Sequence, residues 1–422
     1  MMTGRETSNL EYKEEISNTF LKTVSAFANY ETGKIIFGVN DEGQTVGLKG
    51  DLDQLCLNIE NKINDSIKPA PDYRIKIDEK KKVIEVQIFE GDYKPYVYKN
   101  KAYKRADAAT VEVERLEYNR LVLEGTNTDY EELAADTQEL SFKILEGELK
   151  SVLGISELNE DIMKTMDLYS DKKGYNKAAE LLADRNECPG VDIVRFGNSI
   201  DEFLDRENIE NVSIIEQYHK AISIYRKYYQ YEVIEGSQRR KVEKLPEKAF
   251  REALANSIVH RVWDVKVPIR IAMDKDKIEI ISPGGLPVGI SKEEYLKGQV
   301  SILRNPILGN VFFRLNYIER FGTGVKRINQ SYEKSVIKPE FSFYENSLSV
   351  TLPLLSLDIG MLDEAEQSVY LALEKEMAHT RETIEKRTNL NKSKVIRVLN
   401  RLIEMKMVEK TGVGRGIKYR LL

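Results

Sequence analysis

At 422 residues the chain is too long for one typical core, and about two to four domains are expected from its length. A composition of 41% hydrophobic and 32% charged residues, without a run of about 18 apolar residues, excludes a membrane-spanning helix, and a net charge of -5 excludes a uniformly basic nucleic-acid coat. The N-terminus is polar and lacks the apolar stretch of a secretory signal, while Cys56 and Cys188 are too few and too distant for a disulfide framework or a zinc cluster, so a reduced, cytoplasmic protein is expected.

Helical spacing over Phe20 to Asn29 feeds the β-rich run KIIFGV (Lys34 to Val39), the turn Asn40-Asp41-Glu42-Gly43 and a short strand into Val46. A helix from Leu52 to Ile67 follows, then alternating strands Tyr73 to Ile77 and Val83 to Phe89 joined by Lys80-Lys81-Lys82, and the strand-like stretch Tyr96 to Arg105. These elements predict an α+β domain over residues 1–125. In its last strand Lys99, Lys101, Lys104 and Arg105 interleave with Tyr96, Tyr98 and Tyr103, a pattern suited to phosphate and base contact. An ordinary edge strand guarded by lysines has the same pattern.

The order ETSNLEYKEE, then TVSAFANYETGKIIFGVNDEGQTVGL, resembles the AlbA_2 domain of the Schlafen type. The resemblance implies nucleic-acid binding. In Schlafen nucleases three acidic residues bind a divalent metal, and by motif position these fall on Glu6, Glu11 and Asp41, with Lys13 beside them. Such a trio would hold Mg²⁺ or Mn²⁺ and activate water for phosphodiester attack. The competing reading makes Glu6 and Glu11 exposed terminal residues and Asp41 a turn residue.

Residues 126–240 read as a helical connector, acidic from Glu124 to Asp161, with helices at Gly174 to Asp184 and Ile214 to Tyr231 and a strand at Val191 to Phe196. Next comes LPEKAFREALANSIVHRVWD (Leu245 to Asp264), whose Ala249, Phe250, Ala253, Leu254 and Ile258 recur at helical spacing. Glu252, Asn256 and His260 stand four residues apart and stack along the flank of that stripe, so carboxylate, amide and imidazole would line one groove. Paired strands are predicted at Ile269 to Met273 and Lys277 to Ser282, followed by the glycine turn SPGGLP, then Arg304-Asn305-Pro306, a helix from Ile307 to Leu315, and Gly322-Thr323-Gly324 ahead of another helix.

REALANSIVHR, IEIISPGGLP, RNP and ERFGTGVKRI in this order resemble the divergent GHKL-type ATPase domain found at the C-terminus of RecG-related regulators, over residues 241–356. The resemblance implies an α/β sandwich holding ATP and Mg²⁺. Glu252 would position water and Asn256 would bind Mg²⁺; Gly284, Gly285, Gly322 and Gly324 would cover base and phosphates, with His260 beside the ligand. The aspartate with which the superfamily reads adenine has no counterpart, since Ser282 and Pro283 occupy its place.

The last segment, 357–422, has the grammar of a winged helix-turn-helix: helix Glu364 to Lys375, TRETIEKRT, an Asn-Leu-Asn turn, helix Lys392 to Met405, and a glycine-tipped hairpin. From Arg381 to Arg420 there are twelve Lys and Arg against four Glu. Lys392, Ser393, Lys394, Arg397 and Arg401 are expected on the outer side of the recognition helix, and Arg415 on the wing. The whole reads as an α+β multidomain, DNA-binding bacterial regulator with a nucleotide-responsive centre. DNA is the expected partner, RNA a second one, and a homo-oligomer the expected assembly. A metal-dependent nuclease and a scaffold with a nucleotide-free centre stand as alternatives.

Overall fold

The computed structural model describes residues 5–235, 238–287, 289–298, 302–319, 322–333, 335, 337–355, 362–374, 377–405, 407–412 and 414–421. The chain forms two compact units, Met1–Leu133 and Ala134–Leu422. Among the described residues no helix is long and apolar enough to cross a membrane.

In the first unit, strands β1 (Leu10–Lys13), β2 (Gly33–Phe37), β3 (Tyr73–Asp78) and β4 (Val83–Ile88) form a sheet in the order β1-β2-β4-β3, parallel between β1 and β2 and antiparallel elsewhere. Helices α1 (Phe20–Tyr30) and α2 (Leu52–Ser66) pack with one face of this sheet. Alternation sorts the side chains: Ile35 and Phe37 join Phe20, Phe27, Ile59 and Ile63 in the main core, whereas Ile36 joins Tyr12, Val39 and Val83 on the opposite face. The expected single strand from Tyr96 to Arg105 is broken. Lys99 and Asn100 both adopt left-handed φ, of 51° and 60°, and Tyr98 and Lys101 exchange backbone hydrogen bonds across them. A two-residue turn therefore precedes β5 (Tyr103–Ala106), which pairs with β6 (Ala109–Glu112) before α3 (Arg115–Gly125).

The second unit is built on a six-stranded sheet. Strands β7 (Val191–Phe196) and β8 (Phe203–Ile209) come from the segment expected to be a helical connector. After α4 (Ile214–Tyr229), the hairpin β9 (Gln230–Glu235) and β10 (Gln238–Glu243), and α5 (Glu247–His260), the sheet continues with β11 (Ile269–Met273) and β12 (Lys277–Pro283). Helices α6 (Lys292–Lys297), α7 (Pro306–Arg314) and α8 (Gly324–Ser331) intervene before the final strands β13 (Glu340–Phe343) and β14 (Ser347–Pro353). The order is β8-β7-β11-β12-β14-β13, and β7 runs parallel to β11. The boundary expected near residue 240 therefore falls inside one sheet. The physical reason is the pairing of Val191 to Arg195 with Ile269 to Met273, which satisfies both strands' backbone groups.

Helix α5 lies at the centre of this unit and is buried more widely than one stripe: Ala249, Phe250, Ala253, Leu254, Ala255, Ile258 and Val259 are all inaccessible. Phe250 stacks on Tyr225 of α4 at 4.6 Å, and the Ser282 hydroxyl on β12 donates to the Ser257 carbonyl at 2.9 Å. Each large apolar side chain so buried contributes about 1.5–3 kcal/mol.

The C-terminal part contains α9 (Glu364–Leu371), β15 (His379–Thr380), α10 (Arg381–Thr388), α11 (Lys392–Glu404), β16 (Val408–Thr411) and β17 (Lys418–Leu421), with a three-stranded sheet ordered β15-β17-β16. Val395, Val398, Leu399 and Leu402 of α11 close its core against Val369 and Ile384. This is a winged helix-turn-helix, as expected. The Asn391 side chain caps α11 by accepting from the Lys394 amide at 2.9 Å.

Candidate functional site

The central cleft is organised by the C-terminal end of α5. Arg304 donates from Nη1 to the His260 carbonyl at 2.8 Å and from Nη2 to the Gly285 carbonyl at 2.9 Å, joining the helix end to the glycine turn. Asn305 donates to the carbonyls of Val259, at 2.7 Å, and Arg261, at 2.9 Å. The Arg-Asn-Pro motif thus satisfies helix-end acceptors that would otherwise be orphaned. Gly284 sits at φ 109°, where a Cβ would lie 2.5 Å from Arg304 Nη1 and from the Val262 side chain, so the turn requires glycine. Beyond the helix, fully buried Arg261 donates to the Val267 carbonyl at 2.6 Å and lies 4.2 Å from the Trp263 ring, which places both residues in the core.

Two adjoining hollows flank α5. One is lined by Asn256, His260, Gly284, Gly285, Tyr295 and Arg304, with Val325, Phe341 and Val350 on its apolar wall. The other is lined by Glu252, Asn256, His260, Tyr295, Gly322 and Gly324. Asn256, His260, Tyr295 and Val325 belong to both. The residues singled out on α5 and on both glycine segments are thus gathered around one cleft. Phe321, beside Gly322, lies outside the described residues.

Polar atoms here are only partly satisfied. Asn256 Nδ2 donates to Glu252 Oε1 at 3.5 Å, which leaves Asn256 Oδ1 available. Burial is the main cause that pushes the Glu252 carboxyl above the ordinary range, with Arg327 opposing it. Burial, with help from the Arg304 charge, pushes His260 down to about 4, so its ring is neutral. Among the described residues, His260 Nδ1 and Thr323 Oγ1 are buried without a hydrogen-bond partner. Gly324 lies against the ends of the Glu252 and Asn256 side chains, which would have to shift to admit a Cβ there. Ser282 is buried, its hydroxyl given to Ser257.

The three carboxylates of the first unit are placed differently. Glu11 is 4% exposed, and its carboxylate meets Lys13 at 2.6 Å, accepts from the Thr23 hydroxyl at 2.7 Å and accepts from Arg105. Glu6 accepts from the Tyr12 amide at 2.8 Å, and Asp41 is exposed in the turn that the Asn40 side chain closes onto the Gln44 amide. Among the described residues, no three His, Cys, Asp or Glu are grouped to hold a metal. Of the basic residues suited to nucleic acid in this unit, Arg105 is turned inward onto Glu11, the Thr7 carbonyl and the Phe27 ring. Lys101 pairs with Glu112 at 2.7 Å and Lys104 with Glu117 at 2.6 Å.

On α11, Lys392, Ser393, Lys394, Arg397 and Arg401 are exposed. Arg401 pairs with buried Glu366 at 3.1 Å, whereas Lys392, Lys394 and Arg397 have no ion pair among the described residues. Arg415 falls in the turn Gly414–Gly416, and its side chain is outside the described set. The same outer face carries Ile396, 36% exposed, and Asn400. Counting charges passes over both; helical spacing opposite the Val395, Val398 and Leu402 face finds them.

Comparison with known proteins places these parts. Residues 6–114 match the Schlafen, AlbA_2 family, residues 267–352 the family described as "Putative ATP-dependent DNA helicase recG C-terminal", and residues 355–422 the "Sugar-specific transcriptional regulator TrmB" family. The chain therefore carries an AlbA_2 domain, a RecG C-terminal-type domain and a regulator-type winged helix, in the order the motifs implied. Among solved structures it is similar to the DIP2311 protein of Corynebacterium diphtheriae, at 18% identity over 98% of this chain and 92% of that chain, with a TM-score of 0.49. No curated protein matches the chain.

Proposed function

From a chain that joins AlbA_2, RecG C-terminal-type and TrmB-type domains, we propose a cytoplasmic DNA-binding regulator whose DNA affinity responds to ATP and Mg²⁺ in the central cleft. The observation that carries it is the outer face of α11, where Lys392, Lys394 and Arg397 stand exposed and, among the described residues, make no ion pair. Cations left free on a recognition helix neutralise phosphates on docking, which makes affinity fall with salt.

For the cleft, the residues fit a nucleotide on three observations: an available Asn256 oxygen, orphaned polar atoms on His260 and Thr323, and glycine backbones at Gly284 and Gly285 that leave no room for a side chain. Asn256 would hold the magnesium, the Thr323 hydroxyl and the amides at the start of α8 would donate to phosphates, and the apolar wall at Phe341 and Val350 would take the base. The nucleotide supplies a dense anionic charge with its metal. With Ser282 committed to Ser257, no carboxylate among the described residues lines the hollow at the base end.

A gel-shift titration at stated salt tests the DNA role: Lys394→Ala with Arg397→Ala should weaken binding, and unchanged binding would overturn it. Calorimetry with ATP·Mg²⁺ tests the cleft, comparing the natural protein with Asn256→Ala. Heat from the first and not the second is expected; no heat from either leaves the centre a scaffold.

A further inference from the structure

Helix α11 separates its exposed residues into a stripe and two flanks. Ser393, Ile396, Arg397 and Asn400 follow one another at i, i+3, i+4 and i+7, so they form a single line along the helix. That line lies opposite Val395, Val398, Leu399 and Leu402, whose burial fixes which way the helix faces. Lys394 and Arg401 stand to one side, and Lys392 to the other. The cap from Asn391 sets where the stripe begins.

The chemistry of the stripe differs from that of the flanks. The flanks carry the cations Lys392, Lys394 and Arg401, and exposed Glu404 continues the line one turn beyond Asn400. The stripe carries a guanidinium, an amide, a hydroxyl and the branched apolar side chain of Ile396, 36% exposed among polar neighbours. Among the described residues Asn400 and Arg397 make no hydrogen bond or ion pair, so their donors and acceptors are uncommitted. A guanidinium fits the two acceptors of guanine in the major groove, an amide fits the donor and acceptor of adenine, and an apolar side chain fits the thymine methyl. From Ser393 to Asn400 the rise is about 10 Å, the length of about three base pairs. A stripe for docking protein would be more apolar at its centre.

We propose that this stripe reads base edges in duplex DNA, with Arg397 on guanine, Asn400 on adenine and Ile396 on a thymine methyl, while Lys392 and Lys394 hold phosphates. The assignment rests on the DNA-binding reading above and divides its residues into those that select sequence and those that supply affinity.

The test is selection of bound duplexes from a randomised pool by the full chain, then affinities for the selected duplex and for single-base variants of it. Arg397→Ala should lose preference at one G·C position by about fivefold to 150-fold and Asn400→Ala at one A·T position by a similar factor, with preferences elsewhere kept. Lys394→Ala should weaken all duplexes equally and reduce the slope of log affinity against log salt by about 1. All are surface positions, and unchanged melting temperatures show that each variant is folded. If the natural chain selects a sequence but Arg397→Ala and Asn400→Ala keep every base preference, the assignment is overturned and the DNA role stands. Equal binding of every duplex has the same meaning. If the natural chain binds no duplex, the DNA role itself fails and takes the assignment with it.

Discussion

Gly324 rests against Asn256 so closely that a Cβ on the glycine would lie 2.6 Å from the Asn256 amide nitrogen and 2.7 Å from Glu252 Oε1. The start of α8 and the flank of α5 are thus in backbone-to-side-chain contact. Gly324→Ala obliges the ends of the Asn256 and Glu252 side chains to swing aside, so it should change stability by less than about 1 kcal/mol, read as a nearly unchanged urea midpoint. It should reduce ATP affinity at least about tenfold by calorimetry, because the displaced Asn256 amide is the group that would hold the magnesium. Unchanged affinity would mean that the close contact does not set the position of Asn256.

His260 is predicted to make the protein acid-sensitive. Its folded-state value of about 4 lies below the ordinary 6.5, so between those limits the unfolded chain binds a proton that the folded chain refuses. Stability should therefore be lost as pH falls from about 6.5 towards 4. His260→Gln takes up no proton in either state, and its urea midpoint should drop less than that of the natural protein between pH 7 and pH 5. Equal drops would clear His260 of this role.

Glu11 is expected to be a stability residue first. Glu11→Ala leaves Lys13 and buried Arg105 without their shared counter-charge and should destabilise the first unit by about 3–5 kcal/mol. Lys101→Ala removes only an exposed pair with Glu112 and should change stability by less than about 1 kcal/mol. Thermal unfolding of both variants checks the contrast, and it also means that a loss of any nucleic-acid cleavage in Glu11→Ala must be read beside its melting curve.

Arg401 and Arg397 should separate by their effects on stability. Arg401 holds the carboxylate of Glu366, which is 3% exposed and closes the capping box at the start of α9 by accepting from the Asp363 amide. Arg401→Ala should lower the stability of the winged helix by about 1–2 kcal/mol, since part of that pair is open to solvent. Arg397→Ala should leave it unchanged. Differential scanning calorimetry distinguishes the two, and equal effects would contradict the division.

Much of this was legible in the chain because it depends on local spacing. The burial of α5, the three residues on its flank, the glycine turns and the winged helix all follow from periodicity and punctuation within a few residues. Two features were not. The inward turn of Arg105 is a contact with Glu11, 94 residues away in sequence, which no local pattern announces. The union of β7 with β11 is a parallel pairing between segments separated by helix α4, a hairpin and helix α5, and no local pattern encodes the partner of a strand. The cleft lies between these cases: its residues were identifiable one by one, but the commitment of Ser282 to Ser257 appears only when helix and sheet are packed.

The parallel pair β7 and β11 also sets how the protein can be dissected. A fragment starting at residue 241 would keep every glycine motif and the whole RecG C-terminal match, yet it would leave Ile269–Met273 as a bare sheet edge, with the inward-facing Ile271 and Met273 beside it. Such an edge invites aggregation. On the ribosome the same geometry imposes an order of events: β7 and β8 emerge early and must stay apart from other chains until β11 has been made. Excision for biochemical work should therefore cut near residue 133, between the two compact units, rather than at the family boundary.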